Sequence, residues 1–160
     1  MKFPSLSSLF HSAGRTFRRF PLAILLAISG TSISLVMVHK KLSEDDTIFM
    51  RCINALISSY LGMLLSVAAT VWAERRAWAR GKTLTLQGLV LLLTVLFYYT
   101  MPKDMEQRTA IRWILYGLGL HWLIAVIGFT GKAHINSFWQ YNKRLFLRIL
   151  TSLLYTVVLY

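Results

Sequence analysis

From Cys52 to Ala73 the chain reads CINALISSYLGMLLSVAATVWA, 22 residues without a charge, with Arg51 before them and Glu74, Arg75 and Arg76 after. Coiled as a helix, such a stretch is about 33 Å long, close to the roughly 30 Å hydrocarbon thickness of a bilayer. A helix on the surface of a soluble domain keeps one polar face, whereas this one is apolar all round. It reads as a membrane-crossing helix. That constrains the remainder, because lipid offers no partners for backbone N–H and C=O groups and admits only segments that satisfy their own.

The pattern recurs along the chain. Uncharged runs predict further spans over about 21–38, 83–101 and 112–130, beside the one at 52–73. The last twelve residues, ILTSLLYTVVLY, reach only about 18 Å, so 148–160 reads as part of a fifth span in which the chain stops. Ahead of the first span, Phe3, Leu6, Leu9, Phe10, Ala13, Phe17 and Phe20 fall on one helical face, with Lys2, Arg15, Arg18 and Arg19 elsewhere. Residues 1–20 therefore read as a basic amphipathic helix lying among the lipid headgroups. A cleaved signal peptide fits less well. The apolar run after Arg19 exceeds the usual 7–15 residues, and Val36-Met37-Val38-His39 lacks the small residues of a cleavage site. The expected fold is an all-α membrane protein: an N-terminal amphipathic helix, then a bundle over 21–160 of four transmembrane helices plus a partial fifth.

The charges order the spans. Lys and Arg number 18 against 6 Asp and Glu. The N-terminal segment, the connection after the second span and the connection after the fourth hold twelve basic residues and one acid, Glu74. The alternate connections hold six basic residues and the other five acids, Glu44, Asp45 and Asp46 among them. By the positive-inside rule the N-terminus is cytoplasmic. The net charge of +12 is then an orientation signal that also attracts an anionic inner leaflet, and no nucleic-acid partner is expected.

Little in the spans suggests chemistry. Cys52 is the single cysteine, so no disulfide framework or multi-cysteine metal site forms within the chain. The carboxylate triplet at 44–46 reads as a solvated loop, because calcium needs six to eight converging oxygens. Gly81-Lys82-Thr83 resembles the tail of a phosphate loop, but Arg76 stands where the motif needs glycine. No catalytic, cofactor-binding or metal-binding residue is assigned. Ser58, Gly62, Ser66 and Thr70, four apart, predict a face on which a neighbouring helix packs closely. His121, central in the fourth span, and Gln87 are the candidate intramembrane polar groups. An interhelical hydrogen bond is expected for His121, and water or backbone partners near the span end for Gln87 and Asn54. Trp139, Lys143, Arg144 and Arg148 are expected at the interface, on a segment lying along the inner leaflet before the chain turns into its fifth span.

The run Asn136-Ser137-Phe138-Trp139-Gln140-Tyr141-Asn142-Lys143-Arg144-Leu145-Phe146-Leu147-Arg148 and the apolar tail after it resemble a bacterial family of multi-pass membrane proteins, domain of unknown function 4153. FRRFPLAILLAISGT resembles that family's first membrane segment. The resemblance implies a bacterial inner-membrane location and the N-terminal portion of a longer protein, and it carries no catalytic residues. A structural or interaction role in the membrane is expected, with the lipid bilayer, further copies of the chain or other membrane proteins as partners. The alternative is the membrane part of a transporter or permease completed by missing helices or by oligomerisation.

Overall fold

The computed structural model describes residues 6–41, 47–102, 107–129 and 135–159. Among them it has six helices and no strand: α1 (Leu6–Arg19), α2 (Pro21–Lys40), α3 (Thr47–Arg75), α4 (Arg80–Thr100), α5 (Gln107–Ile127) and α6 (Ile135–Leu159). Helices α2, α3, α4 and α5 have the length and apolar composition to cross a membrane. Glu44, Asp45 and Asp46 lie outside the described residues.

The bundle is built round α3. Helices α2, α4 and α5 each pack on it, and α1 rests against the start of α2. Half of the apolar window of α3 is buried, against 11% for each of the other three. Side-chain size accounts for the difference. Ser58, Ser59, Gly62, Ser66, Ala68, Ala69, Thr70 and Ala73 are all buried, and small residues let backbones approach. The bulky apolar residues of the outer helices face away: Leu25 on α2, Leu84 and Leu92 on α4, Trp122 on α5.

The neighbours use largely different strips of α3, with Gly62 lying under both Thr94 of α4 and Leu26 of α2. Gly30 of α2 lies over Leu56 and Ser59. Gly62, Ser66 and Thr70 face α4. Leu64 and Ala68 pack with Ile124 of α5, flanked by Met63, Val67, Leu120 and Ile127. Helices α4 and α5 meet each other through the edge-to-face pair Phe97–Tyr116, with ring centres 5.8 Å apart.

Helix ends depart from the charge-based boundaries. Helix α3 starts at Thr47 and continues to Arg75, α4 begins at Arg80, and α5 begins at Gln107. A charge ends the apolar run without ending the helix, since Arg and Glu are good helix formers and nothing here breaks the backbone. True stops come from backbone geometry. Lys41 turns left-handed (φ 48°), and its N–H donates to the carbonyls of Met37 and Val38. Ala77 does the same after α3 (φ 49°). There the N–H of Trp78 donates to Ala73 O at 3.0 Å and that of Ala77 to Glu74 O at 3.1 Å, the Schellman pattern. Trp78 packs on Trp72, with ring centres 5.2 Å apart, as the accompanying apolar contact.

Helix α6 corrects one expectation. The aromatic–basic segment and the apolar tail form one helix of 25 residues with no turn near Arg148. No Gly or Pro interrupts 135–159, so no residue compels a bend there. With Lys143, Arg144 and Arg148 in its middle, α6 is not among the helices apolar enough to cross a membrane.

Candidate functional site

Three features stand out. The first is a clamp between α3 and α4. Ser66 is fully buried. Its hydroxyl donates to Gln87 Oε1 at 2.8 Å, and Gln87 Nε2 donates to Thr70 Oγ1 at 2.9 Å and to Ser66 O at 3.2 Å. The Thr70 hydroxyl donates in turn to Ser66 O at 2.9 Å. Where water or backbone partners were expected, Gln87 bonds a neighbouring helix, through two side chains and one backbone carbonyl. It sits two turns inside α4, where α3 presents the complementary groups. Asn54 likewise reaches across, donating from Nδ2 to Pro102 O at 3.0 Å. Among the described residues its Oδ1 and the Ser58 hydroxyl are buried without a hydrogen-bond partner.

His121 differs from expectation as well. Its Nδ1 lies 2.8 Å from the carbonyl of Gly117, one turn back on α5. A carbonyl can only accept, so Nδ1 carries the proton and the bond is intrahelical. Its ring lies 6.2 Å from that of Tyr60 on α3, and Gly117 leaves the room for Tyr60 between the helices. An i to i−4 bond satisfies one nitrogen locally, which is why no partner helix is required.

The second feature is a cavity of about 550 Å³ lined by α3, α4 and α5. Ser58 and Gly62 line it, with Leu93, Thr94, Tyr116 and Gly119. Its lining is almost wholly apolar, and the Ser58 hydroxyl is its unpartnered polar atom.

The third lies where the C-terminal ends of α1, α3 and α5 meet α6. Arg19 donates to both carboxylate oxygens of Glu74, Nε at 2.8 Å and Nη2 at 2.7 Å. These bonds outweigh desolvation and hold the Arg19 guanidinium above the ordinary arginine pKa. Arg19 also lies 4.8 Å from the Phe20 ring centre, and Arg75 5.5 Å from that of Phe129. Phe129 stacks edge-on against Phe138 and Tyr141, which ties the start of α6 to the end of α5. Arg144 and Arg148 join Arg19, Glu74 and Arg75 around a cleft of about 540 Å³. Trp139 and Lys143 are exposed and do not line it.

Arg144 and Arg148 were expected at the interface from the sequence, whereas Arg19, Glu74 and Arg75 were not expected beside them. The signal lay in the charge count: Glu74 is the one acid on the basic side of the chain, and an acid placed there needs a cation nearby. Among the described residues no group of three His, Cys, Asp or Glu could hold a metal ion. No family model matches the chain, and no curated protein or solved structure matches it significantly.

Proposed function

We propose that the chain is a multi-pass protein of the bacterial inner membrane, with its N-terminus in the cytoplasm and a structural or interaction role rather than a catalytic one. The observation that carries this is the inverted burial of the bundle. Its central helix is lined with small and hydroxyl residues, while α2, α4 and α5 turn Leu, Ile, Val and Trp outward. Trp122, for instance, is 74% exposed. Water would penalise such a surface at roughly 25 cal/mol per Å², and acyl chains would not. Helix α1, with Arg15, Arg18 and Arg19 at its end, fits an interfacial helix on the cytoplasmic side. The excess of basic residues on the N-terminal side of the spans, twelve against six, supports the orientation.

The cavity beside Ser58 favours a second reading, a membrane subunit whose missing wall is supplied by another helix or another copy. A buried, unpartnered hydroxyl on a residue that lines an apolar opening suits such a closure. Reporter fusions test the first reading. Alkaline phosphatase joined after Glu44 is expected to be active, and after Arg80 inactive. The opposite pattern rejects the orientation, and a protein released by carbonate washing rejects membrane insertion itself.

A further inference from the structure

We infer that the cleft between α3, α5 and α6 binds the headgroup and upper acyl chain of one anionic phospholipid. The inference rests on the membrane reading above and goes beyond it by assigning a defined site and ligand class. Four arginines line the cleft: Arg19, Arg75, Arg144 and Arg148. Glu74 is the only acidic side chain among the described residues, and Arg19 holds both of its oxygens. Three guanidiniums therefore face the cleft without a carboxylate among those residues. Arg144 and Arg148, four apart, share a face of α6, and Arg75 lies against the Phe129 ring. Guanidinium forks match phosphate oxygens, and basic pockets between membrane helices are a recurrent form of headgroup site.

The remaining lining separates a lipid from a soluble phosphate. Val71 and Val67 lie one and two turns inward from Arg75 along α3, and Ile124 lies one turn inward from Gly128 on α5. The cleft thus adds an inner, apolar part along α3 and α5 to the guanidiniums of Arg19, Arg75, Arg144 and Arg148. A free phosphate would leave that inner part unused, whereas an acyl chain fills it. Tyr141, on the same face of α6, adds a phenolic hydroxyl to the lining.

The test is native mass spectrometry of the full chain, released from micelles containing equal amounts of phosphatidylglycerol and phosphatidylcholine. One phosphatidylglycerol is expected to stay bound in preference to phosphatidylcholine. Arg144→Gln with Arg148→Gln should reduce its retention about tenfold or more, since each cation near an anionic lipid contributes appreciably. Arg75→Gln is the second variant, and circular dichroism on the same samples checks that each variant folds. Lys40→Gln with Lys41→Gln removes equal charge from the far end of α2 and should change nothing. Equal retention of the two lipids, or equal loss in the Lys40/Lys41 variant, overturns the site. Displacement by millimolar inorganic phosphate would make it a soluble-anion site and overturn the lipid assignment. Carbonate extraction is independent of all three outcomes, so failure of the cleft and failure of the membrane reading are told apart.

Discussion

At Gly62, α3 and α4 approach so closely that a methyl group would overlap Oγ1 and Cγ2 of Thr94. Thr94 cannot easily give way, because its hydroxyl donates to Val90 O at 2.8 Å. Gly62→Ala is expected to lower stability in detergent by about 1–3 kcal/mol, the usual cost of overpacking. Thr94→Ala should restore most of that loss when combined with it, a non-additivity that a double-mutant cycle reads directly. Gly119→Ala is the control, since a methyl there meets nothing within 4 Å. If the Gly62 and Gly119 variants melt alike, the close approach is wrong. Ala77 presents the opposite case, a residue in a left-handed turn that glycine would occupy without strain. Ala77→Gly should raise the melting temperature, by about 1 kcal/mol of stability. Gly62 was legible in the sequence because small residues four apart are a local pattern. Thr94 was not, since it is 32 positions away and only packing brings it near. Ala77 gave no signal, because chain reversals are usually marked by glycine and this one is not.

Between elements, the clamp of Gln87 on Ser66 and Thr70 fixes the register of α4 against α3. Gln87→Leu keeps most of the volume and removes three hydrogen bonds. Hydrogen bonds between membrane helices average about 0.6 kcal/mol, and the freed hydroxyls can turn to their own backbone. A loss of about 1–2 kcal/mol is therefore expected, and Gln87→Leu should cost less, about 0.6 kcal/mol, once Ser66→Ala and Thr70→Ala are present, because only the bond to the Ser66 carbonyl then remains. Additive losses in that triple variant would show that Gln87 acts elsewhere. Uncharged runs located α2 to α5, yet charges misplaced several of their ends. Arg51 and Arg75 continue a helix as readily as Leu does, so the edge of an apolar run marks where lipid ends rather than where a helix ends. In α6 the same rule divided one helix into a loop-like half and an apolar half. The divide lies in its polarity, and the backbone passes through without a break.

At the scale of the whole molecule, polarity is arranged inside out. Hydroxyls and glycines occupy the centre of the bundle, and leucines and aromatic rings its surface. The segregation of basic residues to one end was legible from counting alone. Their convergence was not: Arg19, Arg75 and Arg148 are far apart in sequence and meet only because the end of α1 and the middle of α6 come together at the C-terminal end of α3. That central position of α3 has a consequence for assembly. Helices α2, α4 and α5 occupy largely separate strips of α3, α2 and α4 sharing Gly62, and α4 meets α5 through little more than one aromatic pair among the described residues. A hairpin of α2 and α3 already carries both remaining seats, so α4 and α5 need not arrive in a fixed order. Damage to one interface should subtract the contribution of that helix and leave the other docked. Such a protein comes apart in stages, like spokes leaving a hub, rather than as one cooperative block.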